Sequence, residues 1–204
     1  MKQYPSISER PPHGTPLYIF DKLDGSNVRA EWSRKGGWYK FGRRHGLLDD
    51  TNPLLRDKVP GLILGKYADD LTDIFRKERW DRAIAYFEFH GPNSFAGNHE
   101  DEEHTVTLFD VSVHRKGILE PRQFLKLFGD LDIPTLLHHG NFTQEMKEQV
   151  EEGTLEGMTY EGIVAKGPNV SPGRPFMAKW KNYHWLRRLK EWCNGDLEKF
   201  NRLR

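Results

Sequence analysis

With 204 residues, six tryptophans and a formal net charge of +1, the chain is sized for one core-bearing domain with, at most, a small appendage. The single cysteine, Cys193, excludes an intrachain disulfide and a thiol zinc cage, and no run approaches the ~20 apolar residues of a membrane span. Met1 to Ser6 lacks the apolar stretch of a signal peptide, so a reducing, intracellular, cytoplasmic setting is the expectation.

Residues 1–16 are polar and Pro-rich and read as an extended lead-in. Leu17 to Phe20 is an apolar strand run, followed by Lys22-Leu23-Asp24-Gly25-Ser26-Asn27 and then by an alternating strand, Val28 to Trp32. Gly36-Gly37 turns the chain into a returning strand, Trp38 to Phe41, with Gly42-Arg43-Arg44-His45-Gly46 at its end. Asp49 to Pro53 is loop, and Tyr67, Leu71, Ile74 and Phe75 predict a helix over Lys66 to Arg82. Ala83–Phe89 and Thr105–Val113 read as strands, separated by a polar loop, Asn93 to His104, with four consecutive acids (Glu100 to Glu103) taken as a solvated face. Arg115 to Gly117 is a turn. Pro121 opens a helix to Phe128, and Thr143 caps another over Gln144–Glu152, closed by Gly153. Gly162–Lys166 and Phe176–Lys181 are short strands joined by a Gly/Pro turn region, Gly167 to Pro175. Tyr183 to Arg204 is helical, broken near Asn194-Gly195. Antiparallel-looking strands with irregularly spaced helices argue an α+β fold.

The chemistry concentrates in three stretches. A lysine at a strand-to-loop junction, Lys22, can point into a cleft between sheets. At neutral pH only about one free lysine in a few thousand is unprotonated, so a nucleophilic Lys22 needs desolvation or nearby cations to lower its pKa. Lys179 and Lys181 are the expected cations, and Arg44 adds a phosphate contact. Glu161 precedes an apolar strand that would hold its carboxylate at a cleft rim, where it and Glu88 suit a divalent cation bound with a triphosphate. Glu88 alternatively reaches a ribose hydroxyl, and Phe109 either stacks on a purine or is a core residue. The histidine pairs His138-His139 and His99/His104 lack the helical spacing of a zinc site, and no dinucleotide or P-loop glycine motif is present.

Lys22 to Asn27, Glu161-Gly162-Ile163-Val164-Ala165-Lys166 and Lys179-Trp180-Lys181, in that order, resemble motifs I, IV and V of the covalent nucleotidyltransferases. Glu88 to Gly91 and Leu108 to Asp110 resemble motifs III and IIIa, so the likeness spans about residues 17 to 182. It implies an ATP-grasp-like nucleotidyltransferase domain, 1–182, whose antiparallel sheets form a nucleotide cleft. A C-terminal helical tail, 183–204, packs on that domain, and no OB-fold follows. Asn27 stands where DNA ligases and capping enzymes usually carry arginine, as in the phage-type RNA ligase 2 and RNA-editing ligase group. The post-motif stretch Lys40 to Gly46 also resembles that group, with Arg44 as the phosphate contact and Arg43 as the fallback. The implied activity is ATP-dependent joining of RNA 3′-hydroxyl and 5′-phosphate ends through a lysyl-AMP on Lys22, with Mg²⁺ or Mn²⁺. Asp24 and Gly25 shape the loop; Asn27, Glu88, Phe109, Lys166 and the motif V lysines complete the nucleotide site. DNA-end ligation, capping-type guanylyl transfer and a silent nucleic-acid-binding module are the alternatives. The tail, with Trp185, Arg187, Arg188, Lys190 and Trp192, reads first as an amphipathic helix on the domain. Its alternative is an RNA contact, and a separate nucleic-acid-binding partner is a further one.

Overall fold

The computed structural model describes Tyr4, Pro5, Ile7, residues 16–92 and residues 99–204; most of the expected lead-in and the first half of the polar 93–104 loop lie outside these. β1 (Pro16–Lys22) crosses through a turn at Gly25 into β2 (Ser26–Ser33), which is followed by β3 (Gly37–Arg43) and a short β4 (Gly46–Leu47). Next come α1 (Pro53–Lys77), β5 (Arg82–His90), β6 (Thr105–Val113), β7 (Gly117–Ile118) and α2 (Pro121–Phe128). β8 (Leu136–Asn141), α3 (Gln144–Glu152), the hairpin of β9 (Gly162–Ser171) and β10 (Arg174–Lys181), α4 (Tyr183–Trp192) and α5 (Leu197–Leu203) complete the order. The strands form two sheets, β10-β9-β1-β8 and β4-β3-β2-β5-β6-β7, and all pairings are antiparallel, as expected for the α+β class.

The alternation of each strand assigns its faces. On the six-stranded sheet Val28, Ala30, Trp32, Ala85, Phe87, Val106 and Leu108 face outward and are covered by α1. On the four-stranded sheet Leu17, Ile19, Ile163 and Ala165 pack with Phe142 and Val150. The opposite faces look at one another, bridged midway by Tyr4, Tyr86, Ile118 and Met177. The chain passes between the sheets at the Lys22–Ser26 crossover. At the far end the β9–β10 tip meets β7: Ile118 N–H donates to the Gly173 carbonyl at 3.0 Å. A Cβ on Gly173 would lie 1.9 Å from the Lys116 carbonyl oxygen, so only glycine permits this approach.

Three elements differ from expectation. α1 begins at Pro53, not Lys66, because Asn52 accepts from the Leu55 N–H as a cap and Leu55, Val59 and Ile63 extend the buried stripe. Pro60 inside the helix costs about 3 kcal/mol. Burying those three side chains contributes about 1.5–3 kcal/mol each, which outweighs it. The helix also ends earlier, at Lys77, where Arg79 takes a positive φ of 56° and turns the chain. β8 lacks apolar alternation because it is a mostly exposed edge strand, held by backbone pairing to β1 and by Tyr18 stacked on His139 at 3.9 Å. β9 and β10 run through most of the expected turn region and are joined at Pro172-Gly173; the outer end of β9, Pro168 to Ser171, is exposed, so no apolar pattern marks it.

Candidate active site

Strand register builds the site. Lys22 on β1 and Lys181 on β10 flank the same β9 residue, Gly162, so the two lysines share one row across three strands. Glu161, just before Gly162, reaches both: its Oε2 accepts from Lys22 Nζ and its Oε1 from Lys181 Nζ, each at 2.5 Å. Its loop is fixed on two sides. Asp21 accepts from Thr159 N–H (2.9 Å) and Oγ1–H (2.7 Å), and Asn182 donates to the carbonyls of Tyr160 and Glu161. Lys181 also lies 3.9 Å from the centroid of the Trp185 ring. These groups form the floor of a cavity of about 700 Å³ between the sheets.

Asn27 and Glu88, paired across β2 and β5, and Phe109 line the opposite wall. Phe109 is the extra residue of a bulge: Tyr86 opposes Asp110 and Phe87 opposes Leu108, which re-aims the Phe109 side chain into the cavity. Asn27 Oδ1 is buried there without a hydrogen-bond partner among the described residues. Lys166 lines the cavity but is engaged, on Asp110 at 2.9 Å and on the Phe109 carbonyl at 2.7 Å; Tyr4 donates to the same Asp110. Arg44 lines the mouth, its carbonyl held at 3.0 Å by the buried Arg29 guanidinium. Arg43 is turned to Thr51 and Asp49, at 3.1 and 3.6 Å.

Gly25 must be glycine: a Cβ would sit 2.3 Å from the Phe89 carbonyl oxygen. Gly25→Ala is therefore expected to displace the loop that carries Lys22 and to lower the melting temperature by several degrees, read by thermal unfolding. Asp24 is buried and faces His99 Nε2 at 3.4 Å; His99 Nδ1 meets Glu102 at 2.7 Å, and Tyr160 donates to Glu102 at 3.1 Å. Sequence reasoning set His99 aside and took the acidic run as solvated. Glu102 instead helps fasten this loop under the Lys22–Asn27 turn, and no local signal in a polar loop reveals that contact.

Electrostatics correct one expectation outright. Lys179 and Lys181 do not bring the Lys22 pKa below its ordinary value. Burial pulls it down, but the carboxylates of Glu161, Glu88 and Asp24 outweigh that and hold it above the ordinary lysine value. Lys181 is the depressed one, pushed down to about 8 by burial, with Lys22 and Lys179 adding to the fall against Glu161. Glu161 stays below the usual carboxylate range because the two lysines overcome its burial. Glu88, buried beside Glu161 and Asp24, is pushed up to about 8.

That shift has a stability consequence. Below an unfolded pKa near 4.5 Glu88 is protonated in both states; between there and 8 only the unfolded chain ionises, so stability is progressively lost as pH rises. Glu88→Gln removes the penalty. Its melting temperature is expected to match wild type below pH 4.5 and to exceed it by roughly 5–10 °C at pH 8.5, on the order of 3 kcal/mol. An equal difference at both pH values would refute a raised Glu88.

Among the described residues no three carboxylate, imidazole or thiol groups converge as a ready-made metal cage. Glu161 and Glu88 fit instead a hard cation that keeps most of its ligands from phosphate and water.

Neither a protein-family model nor a curated protein sequence matches the chain. Solved structures do. An archaeal ATP-dependent RNA ligase superposes with a TM-score of 0.64 at 15% identity, covering 100% of this chain and 56% of that one. The Naegleria gruberi RNA ligase, as a variant with AMP and Mn, gives 0.62 at 16% identity, covering 88% and 53%. A second Naegleria variant with AMP and Mn gives 0.61 at 16%, covering 93% and 60%. The chain thus spans between 53% and 60% of the length of these ligases. Over that span, the fold of this chain is the fold of ATP-dependent RNA ligases.

Proposed function

We propose that this chain is the self-adenylylating part of an ATP-dependent RNA ligase, a nucleotidyltransferase domain of residues 1–182 with residues 183–204 as its helical tail. The observation that carries the reading is the shared carboxylate: Lys22 and Lys181 on one Glu161, facing Asn27, Glu88 and Phe109 across a nucleotide-sized cavity. The ATP, AMP and Mn bound by the structural neighbours support the same ligands here.

In this reading Phe109 stacks on the adenine, Asn27 contacts the nucleotide, Glu88 meets either the ribose or the cation, and Lys179, Lys181 and Arg44 neutralise phosphate. Glu161, with Glu88 if that side chain does not take the ribose, would hold a divalent cation, which would supply charge neutralisation at the phosphate oxygens. Lys22 gives up a proton to solvent and its Nζ forms a bond to the α-phosphorus. The bond from that phosphorus to the β-phosphate oxygen breaks, and pyrophosphate leaves with the electron pair. A second proton leaves the nitrogen, which completes the phosphoramidate. An oxygen of the RNA 5′-phosphate then displaces Lys22 from the AMP phosphorus, and the lysine regains its protons. The 3′-hydroxyl finally attacks the 5′-phosphorus, AMP departs and the hydroxyl proton is lost. Each transfer needs positioning and charge more than covalent help from the protein.

In its ground state Glu161 holds Lys22 protonated. Glu161 is the largest influence that raises the Lys22 pKa, and a divalent cation on that carboxylate would weaken its hold on the Lys22 proton. The test is incubation of AMP-free protein with α-labelled ATP and Mg²⁺, then denaturing electrophoresis and intact mass. A gain of one AMP is expected, and nicked or single-stranded RNA then identifies the ends sealed. No label from ATP, together with retained RNA binding, would overturn the reading in favour of a silent module; label from GTP alone would favour a capping-type enzyme.

A further inference from the structure

α4 and α5 fold back on each other through Asn194 and Gly195, at φ of 49° and 85°. Trp185, Leu189 and Cys193 pack with Phe200 and Leu203 in that hairpin. Its geometry brings the last turn of α5 to the cavity rim. The Leu203 main-chain oxygen accepts from Lys181 Nζ at 3.4 Å and that of Arg204 from Lys179 Nζ at 3.1 Å. Arg202, Leu203 and Arg204 consequently line the same cavity as Lys22.

The charge balance of the cavity gives this turn a role. Four lysines line the floor and walls, Lys22, Lys166, Lys179 and Lys181, against the carboxyl groups of Asp21, Asp24, Glu88 and Glu161, with Asp110 paired to Lys166. The floor is close to neutral before any ligand arrives. A triphosphate adds several negative charges, more than a single divalent cation cancels, so the remainder falls to the rim. Arg44 stands on the β3–β4 side of the mouth and Arg202 on the α5 side. The Arg202 side chain is exposed and has no hydrogen bond or ion pair among the described residues. Position agrees with charge. Phe109 lies by Lys166, four residues along β9 from the Lys22–Gly162–Lys181 row that α5 meets, so a triphosphate with its base on Phe109 and its α-phosphorus at Lys22 would extend toward Lys181 and α5.

We propose that Arg202 binds the β- and γ-phosphates of ATP, and hence the departing pyrophosphate, with the Leu203 and Arg204 contacts holding the turn at the height this needs. A guanidinium fork matches two phosphate oxygens at once. The proposal rests on the adenylylation reading above.

The experiment compares wild type with Arg202→Ala, Arg202→Lys and Arg202→Glu in the full chain. ATP, pyrophosphate and AMP binding are measured by calorimetry, and the KM for ATP is measured in adduct formation. Loss of Arg202 is expected to weaken ATP and pyrophosphate about tenfold, leave AMP within about twofold, and raise KM with little change in kcat. Arg202→Lys recovers part of the loss and Arg202→Glu deepens it. Unchanged ATP and pyrophosphate binding would overturn the assignment, as would equal weakening of all three ligands, which marks α5 as a mere prop. Tighter ATP binding would overturn it too, by showing that α5 obstructs the site. Because the ATP-to-AMP ratio is read in the absence of divalent cation, where no adduct should form, a wild type that binds ATP but forms no adduct when Mg²⁺ is supplied fails the adenylylation reading alone. A wild type that binds neither nucleotide fails both.

Discussion

Lys22→Ala is expected to abolish covalent AMP labelling, by a factor of at least about a thousand against wild type, while leaving the chain folded. Glu161 keeps Lys181 at 2.5 Å in that variant, so no buried carboxylate is stranded. Lys22→Arg sharpens the test. A guanidinium preserves the charge facing Glu161 but is not deprotonated in a protein and cannot become the adduct, so this variant should also remain unlabelled. The experiment discriminates because the site contains a second plausible amine. By protonation alone Lys181, near 8, is the readier nucleophile and Lys22 the more reluctant one. What favours Lys22 is its place: it ends β1 at the mouth of the Gly25 turn, and its motif resembles that of a nucleotidyl lysine. Peptide mapping of the adduct decides between the two. AMP on Lys181, or undiminished label in Lys22→Ala, would end the assignment.

Glu161→Gln should combine a loss of activity with a loss of stability. Labelling is expected to fall about a hundredfold to a thousandfold, because the amide neither binds a divalent cation well nor holds the two lysines in one row. Unfolding free energy is expected to drop by about 3–5 kcal/mol, since Lys22 and Lys181 are left as buried ammonium groups without their anion. The pH dependence carries the more particular signature. Burial then acts on Lys22 without its main opponent, so whatever labelling survives should have its pH optimum below that of wild type. The stability that Glu161 contributes is present above the ordinary glutamate pKa and is lost as pH falls through its depressed folded value. The wild-type advantage over the variant should therefore shrink in acid. Labelling within tenfold of wild type, with an unmoved pH optimum, would show that the carboxylate is only a strut.

Much of this site was legible in the sequence, and what was not has identifiable causes. Lys22, Glu161 and Lys181 stood out because each sits at the edge of a readable strand, and strand alternation alone sends Lys179 and Lys181 to one face. Register was invisible: nothing local says that Lys22 and Lys181 flank Gly162, and the direction of the Lys22 shift depends on that. A cation was expected where a carboxylate is the nearer neighbour. Phe109 was ambiguous between base platform and core because a bulge, which alternation cannot foresee, decides which way it points. His99 lies in a loop with no periodicity, and its role comes from a contact with a residue 75 positions away. The start of α1 was missed for the opposite reason: a strong local prohibition, proline in a helix, yielded to a buried stripe.

The two sheets are fastened at both ends, by the covalent Lys22–Ser26 crossover at one and by the Gly173–Gly117 approach at the other. A pair of plates pinned twice cannot gape like a jaw. Traffic into the cavity therefore goes through the side, between the β3–β4 turn with Arg44 and the end of α5 with Arg202. These are two short, largely exposed segments, each anchored by hydrogen bonds from buried or half-buried side chains to its main-chain carbonyls. If the chain adenylylates itself as proposed, the parting of these two segments, and not any separation of the sheets, is expected to set nucleotide entry and pyrophosphate escape.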